Sequence, residues 1–213
     1  MNNIAIIRDR VPQEVFDYQA LRDCLRSYRK PRDAIQRLVA AGDIISIRKG
    51  LYAFAAPFRR QPIVREQLAN LIYGPSYVSL DSALSHYGLI PERVETVTSV
   101  TTGRSRTFDT PFGTFSYQML TPARYAVGTL LLPEEAPAFL IASPEKALVD
   151  KLWMDKRFAG NRMRDFGPYL FDDLRLAPEG LRALNAERLA AIGQAYGSPK
   201  INNLLRFLHN VGK

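Results

Sequence analysis

The chain has 213 residues, 46% of them apolar and only one a cysteine, so it can bury a real core and is neither disordered nor stapled by an internal disulfide nor a cysteine-rich zinc protein. Its 29 Lys+Arg stand against 21 Asp+Glu, a formal net charge of +8 that favours polyanionic partners such as nucleic acid. No apolar stretch reaches the length of a membrane span, and the charges after Ile4–Ile7 leave no signal-peptide pattern, so a reducing cytoplasm is the expected compartment.

Met1 to Arg10 reads as a short lead helix with Ile4 and Ile7 on its packing side, broken at Val11-Pro12. From Tyr18, the residues Leu21, Cys24 and Leu25 share one helical face, with Arg22 and Arg26 off it. Cys24 on that apolar face is a packed, inert thiol. Pro31 suits the first turn of a second helix, where its missing N–H leaves nothing unpaired. Ile35, Leu38 and Val39 then form an apolar stripe, and Gly42 follows as a left-handed terminator. Ile45 and Ile47 alternate with Ser46 and Arg48, Lys49-Gly50 turns the chain, and Leu51 to Phe54 returns as a second strand. Each piece alone describes an ordinary solvated helix or hairpin. In this order they predict a winged helix-turn-helix over residues 1–56, with DNA as the partner.

That motif assigns roles. Arg32, Gln36 and Arg37 face away from the apolar stripe; Arg pairs bidentately with guanine and Gln with adenine, so Arg32 and Gln36 are the base-reading candidates. Tyr28, Arg29 and Lys30 in the turn are expected at phosphate, and Arg48 and Lys49 at the tip of the wing. Asp33 complements the helix dipole and can pair with Arg37 four residues on, the structural alternative to a DNA role for Arg37. Residues 1–56 hold 10 basic and 6 acidic side chains, a denser positive charge than the remainder. Arg59 and Arg60, bracketed by Pro57 and Pro62 in the expected linker, and the loop residues Arg104 and Arg106 are further candidates for phosphate.

Residues 57–213 predict a mixed α+β domain with a mainly antiparallel sheet. Val64 to Tyr73 is helical, stopped by Gly74-Pro75; Tyr77 to Ser79 is β-prone; Ser79 or Asp81 caps a helix over Ser82 to Tyr87. Strands are expected at Thr96–Thr102, Thr107-Phe108, Phe112–Tyr117, Ala126–Leu132 and Phe139–Ala142, running as a meander. Ser143 as N-cap, Pro144 at the first position and Glu145 beside the helix dipole open a helix to about Asp155. Short helices over Phe166–Leu174, Pro178–Leu184 and Glu187–Tyr196 precede a final amphipathic helix, Pro199–Val211.

Three blocks carry a family resemblance: IRKGLYAF (Ile47–Phe54), YGPSYVSLDSALSHYGLIPERVETVTSVTTGRSRTFDTPFGTFSYQ (Tyr73–Gln118) and ASPEKALVDKL (Ala142–Leu152). Together, over roughly residues 15–155, they resemble the AbiEi family, antitoxins and transcriptional regulators of type IV toxin–antitoxin systems. The resemblance implies an N-terminal winged helix binding promoter inverted repeats to autorepress the operon. It also implies an antitoxin C-terminal domain, and a nucleotidyltransferase-like toxin counteracted without a stable complex. Beyond Met154 the sequence departs from the family pattern.

Rival readings are weaker in the residues. His86 and His209 match no metal-ligand spacing, so neither metal nor other cofactor is expected. Glu145-Lys146 lacks the spacer of a nuclease acid-x-lysine motif, and no nucleophile elbow surrounds Ser79, Ser82 and Ser85 near His86, so no enzymatic activity is expected. Tyr73, Tyr77, Tyr87, Phe108, Phe112, Phe115 and Tyr117 either line a sensing pocket, which would suit a stand-alone regulator with a ligand- or partner-sensing C-terminal domain, or form core.

Overall fold

A computed structural model describes residues 3–132 and 137–211. The chain opens with α1 (Asn3–Arg10), β1 (Val15–Asp17), α2 (Tyr18–Cys24), α3 (Pro31–Ala40) and the strands β2 (Ile44–Arg48) and β3 (Leu51–Phe54). Asp17 caps α2, accepting from Ala20 N at 2.8 Å. Pro31 opens α3, and Gly42 closes it with φ +74. Gly50 turns the β2–β3 hairpin with φ +85, a conformation that suits glycine. Sequence reading did not anticipate β1; three residues are too few to display an alternation. β1 pairs antiparallel with β3, giving a sheet in the order β1-β3-β2.

This sheet is buried on both faces. Phe16, Ile44 and Phe54 meet Ile4, Ile7, Leu21, Leu25, Ile35 and Leu38 in a first core. Val15, Ile47, Leu51 and Ala53 join the larger core of the following residues. Ile44 and Ile47, three residues apart, point to opposite sides as an odd spacing requires; Ser46 and Arg48 are exposed as the alternation predicts, Ile45 is only half-buried, and the register shifts between Ser46 and Arg48.

After a single 3-10 turn (Ala56–Phe58) come α4 (Arg65–Ile72), β4 (Ser76–Val78), α5 (Leu80–His86), β5 (Val97–Thr101), β6 (Arg106–Thr110), β7 (Gly113–Met119), α6 (Pro122–Tyr125), β8 (Thr129–Leu132) and β9 (Phe139–Ala142). Among the described residues these strands form one sheet in the order β6-β7-β5-β4-β9-β8. It is not the expected meander. β5 passes over the place of β7 to reach the edge strand β6, so β7 returns parallel to β5, and β4 lies parallel to β9. The pairs β4–β5, β6–β7 and β8–β9 are antiparallel. Ala126–Gly128, expected as strand, follows the short α6 instead.

α7 (Pro144–Met154) packs on α5, and α8 (Met163–Pro168), a π turn (Tyr169–Asp173), α9 (Pro178–Arg182), α10 (Ala186–Tyr196) and α11 (Pro199–Val211) complete the chain. Ile201, Leu204 and Leu208 are the buried stripe of α11. The expected cap of α5 by a side chain is absent: the Ser79 hydroxyl donates to Asp150, and Asp81 pairs with Lys151 at 2.8 Å. Among the described residues no helix is long and apolar enough to cross a membrane.

Candidate functional site

α3 turns Ala34, Ile35 and Leu38 inward and leaves Arg32, Asp33, Gln36 and Arg37 exposed. Arg29 and Lys30 are exposed in the preceding turn, while Tyr28 is half-buried against the first core. Arg37 Nε donates to the Asp33 carbonyl at 3.3 Å; no ion pair with the Asp33 carboxylate forms. Arg32 Nε donates to Tyr18 OH at 3.4 Å, which pushes the already high guanidinium pKa further up. Tyr18 N in turn donates to the Gly50 carbonyl at 2.9 Å. The start of α2 is therefore the joint that sets the start of α3 beside the hairpin turn. Tyr18, Arg22, Lys30, Pro31, Arg32 and Asp33 line a concavity of about 400 Å³ there. Sequence reading missed Tyr18 and Arg22 as members of this surface. The signal was available in Arg22, which lies off the apolar face of α2. Among the described residues the side chains of Arg29, Lys30, Gln36 and Lys49 have no hydrogen-bond or ion-pair partner, so their polar groups are open to a ligand.

Two of the expected phosphate contacts are already engaged within the protein. Arg48 does not project from the hairpin tip: its Nη1 donates to the carbonyl of Ile72, the last residue of α4. That carbonyl has no partner within its own helix, so a cation is a natural C-terminal cap. Arg59 Nε donates to the Phe54 carbonyl at 2.7 Å, and its guanidinium lies 5.2 Å from the centre of the Phe112 ring. Arg60 is exposed, and its backbone N–H holds Glu14 Oε1 at 3.2 Å.

The fold brings Arg106 to the end of α4, where Arg48 also lies. Arg106 is exposed and lies 5.7 Å from the Tyr73 ring centre; Tyr73 follows Ile72, which Arg48 caps. Gly103 lets the loop approach: a Cβ there would meet Tyr73 OH at 2.6 Å. Arg104 is exposed and without a partner among the described residues. Two basic residues far apart in sequence, Arg48 and Arg106, thus meet the adjacent residues Ile72 and Tyr73.

The segment Ser143–Asp150 is structural in every residue that carries a polar group. Ser143 accepts from Lys146 N, and Pro144 holds the first helical position. Glu145 accepts from Asn185 N at 2.8 Å and from Arg188 Nη1 at 3.2 Å. Burial works to raise its pKa, and these bonds with that from Ser143 more than offset it, leaving the carboxyl below its ordinary value. Lys146 and Asp150 are completely buried, with Nζ 2.7 Å from Oδ1. Tyr77 OH and Ser79 Oγ donate to the other Asp150 oxygen at 3.0 and 2.7 Å, and Tyr196 OH bonds both Asp150 and Lys146. Burial lowers the Lys146 pKa against the pull of Asp150, and burial first, then Asp150, drives the Tyr77 and Tyr196 phenols far up. Glu145 and Lys146 point to different partners and share no site. Asp150 was missed from sequence, although Lys and Asp four apart amid Ala147, Leu148, Val149 and Leu152 mark a buried pair.

The serines near His86 are likewise spoken for. Ser82 Oγ donates to Thr96 O at 3.2 Å and Ser85 Oγ to Glu92 O at 3.0 Å, while His86 stands edge-on to Tyr87 and Phe139. The aromatic run is core: Tyr77, Phe115 and Tyr117 are buried, with Tyr73, Tyr87, Phe108 and Phe112 packed against them. Burial pushes the Cys24 thiol up, as befits an unreactive core residue.

No family model matches the chain, and no curated protein matches it. Among solved structures it is similar to the crystal structure of the Rv2827c protein from Mycobacterium tuberculosis, with a TM-score of 0.52 and 19% identity over 96% of this chain and 79% of that one. At that identity the likeness concerns the fold alone.

Proposed function

We propose that the chain binds double-stranded DNA through its N-terminal module acting as a winged helix, and regulates transcription from the promoter it binds. What supports the reading is the set of exposed side chains Arg29, Lys30, Gln36 and Lys49, without partners among the described residues, together with the exposed Arg32 and Arg37. α3 enters the major groove with Arg32 and Gln36 towards base edges. Lys30, Arg22 and Lys49 meet phosphate on either side, and Arg104 and Arg106 lengthen the footprint along the backbone. Arg48 and Arg59 serve by holding the hairpin and its exit in place. The resemblance to AbiEi regulators extends this to autorepression of a toxin–antitoxin operon at inverted repeats, with a nucleotidyltransferase-like toxin opposed without a stable complex.

The test is a mobility-shift titration of the chain's own promoter fragment against an unrelated duplex. Arg32→Ala with Gln36→Ala is expected to abolish the sequence-specific shift and leave the thermal melt unchanged, since both side chains are exposed. Wild-type affinity and preference in that double mutant would refute the helix assignment. Co-expression of the neighbouring gene, with growth as the readout, tests the antitoxin half: no rescue by this chain from a toxic neighbour refutes it.

A second reading, a regulator whose larger module senses a ligand, has its own observation. A cleft of about 360 Å³ lies where Pro12–Val15 face Arg60–Val64, at the junction of the two modules. A ligand there would act on the exit from the hairpin.

A further inference from the structure

The two edges of the large sheet are built differently. β6 carries Arg106 and Asp109, charges of the kind that discourage a further strand. β8 at the opposite edge reads Thr-Leu-Leu-Leu, with no charge, proline or bulge. Leu131 at its centre is 57% exposed, and its cross-strand neighbour Leu140 on β9 is 40% exposed.

The ladder also decides where the backbone of β8 points. Leu140 N–H donates to Asn70 Oδ1 at 2.6 Å, and the Leu140 carbonyl accepts from Asn70 Nδ2 at 3.3 Å. Both groups turn towards α4 and away from β8. Leu131 and Leu140 are therefore a non-hydrogen-bonded pair. Ser143 N, donating to the Gly128 carbonyl at 2.8 Å, continues the same phase. Leu130 and Leu132 thus bond to β9, while Thr129 and Leu131 aim N–H and C=O outward, where none of the described residues meets them.

We propose that this edge is a dimer seam: β8 pairs antiparallel with β8 of a second copy about a two-fold axis, making one continuous sheet. An antiparallel strand pair is what a two-fold axis normal to a sheet edge generates, so the strand is its own complement. Thr129 stands opposite Leu131 of the partner subunit and Leu131 opposite Thr129 of the partner subunit, with four backbone hydrogen bonds between them. This register keeps every hydrogen bond of the seam within the four residues of β8. In the chosen register the two Leu131 side chains lie diagonally across the seam and extend the Leu131–Leu140 strip. An uncharged seam also keeps charge repulsion out of the contact between two chains of net charge +8. The seam is short, so association is concentration-dependent. Dimerisation here is independent of duplex binding, and its test contains no DNA.

Sedimentation velocity of the full chain across the micromolar range, with no nucleic acid, reads the outcome. The mass is expected to rise from the 24.0 kDa of one chain towards twice that value. Leu131→Pro removes the outward N–H and Leu131→Lys puts a charge on the seam; both are expected to stay monomeric with unchanged circular dichroism. Hydrogen exchange on the wild type gives a second readout: the Thr129 and Leu131 amides gain protection as concentration rises. A chain that stays monomeric throughout overturns the proposal, even if a different protein is later found on this edge. So does a dimer that both variants leave intact, or one in which those amides exchange freely.

Discussion

Replacing Arg48 and Lys49 singly by alanine separates two roles that adjacent residues of one hairpin play. Arg48 caps the Ile72 carbonyl at the end of α4, a group without a helical partner of its own. Hydrogen bonds to charged groups are worth about 1.5–3 kcal/mol, and the partial exposure of Arg48 discounts this to about 1–2 kcal/mol. For a chain of this length that loss lowers the melting temperature by about 2–8 °C. The exposed Lys49 side chain has no hydrogen-bond or ion-pair partner among the described residues, so Lys49→Ala is expected to move stability by no more than about 0.5 kcal/mol. On duplex DNA the order reverses. Lys49→Ala removes one phosphate contact, reducing the slope of log affinity against log salt by about 0.9, while Arg48→Ala leaves the slope unchanged below its melt. Thermal melts and salt titrations of the two variants supply both columns of the comparison. An Arg48→Ala protein with a wild-type melt and a flattened salt slope would show that Arg48 faces DNA, and would refute the capping assignment.

Asp150→Asn leaves Lys146 as an uncompensated charge at zero exposure, and is expected to cost about 3–5 kcal/mol in urea denaturation; a loss under 1 kcal/mol would mean that the network is not closed. Alkaline pH should unfold the chain early. Tyr87 is pushed up to about 12, chiefly by burial, and Tyr77, Tyr117, Tyr169 and Tyr196 higher still. Phenols held protonated in the fold contribute stability that is complete below the ordinary tyrosine value of 10.0 and lost as pH climbs beyond it, so urea midpoints at pH 8 and above should fall only past that point. Acid acts through Asp155, which the Arg157 side chain holds well below its ordinary value, and through Glu145, also depressed; their contribution is present above about pH 4 and lost below it, as an acid titration of the melt should read. Arg104→Ala with Arg106→Ala should reduce the salt slope by about 0.9 per lost contact without altering sequence preference; an unchanged slope would place the loop outside the footprint.

The local grammar of the chain was legible in its residues. Pro31 and Gly42 delimit α3, Gly50 turns the hairpin, and Ser143-Pro144 opens α7, because each depends on backbone stereochemistry within a few neighbours. The exposed face of α3 followed from its 3.6-residue period. Roles that depend on distant partners did not follow. Nothing near Arg48 says that a helix C-terminus waits for it, and nothing near Arg59 announces the Phe54 carbonyl and the Phe112 ring. The parallel pairing of β5 with β7 was equally hidden, since strand periodicity is blind to which neighbour a strand takes.

By itself, then, the sequence determined where α3 and α7 begin, where the β2–β3 hairpin turns, and which side of α3 stays in water, all consequences of short-range sterics and apolar spacing. Only the tertiary structure decided which cations remain free for a ligand. Capping a carbonyl takes up a guanidinium and pairing with a buried carboxylate takes up an ammonium, and those partners arrive by folding: Ile72 for Arg48, Phe54 for Arg59, Asp150 for Lys146.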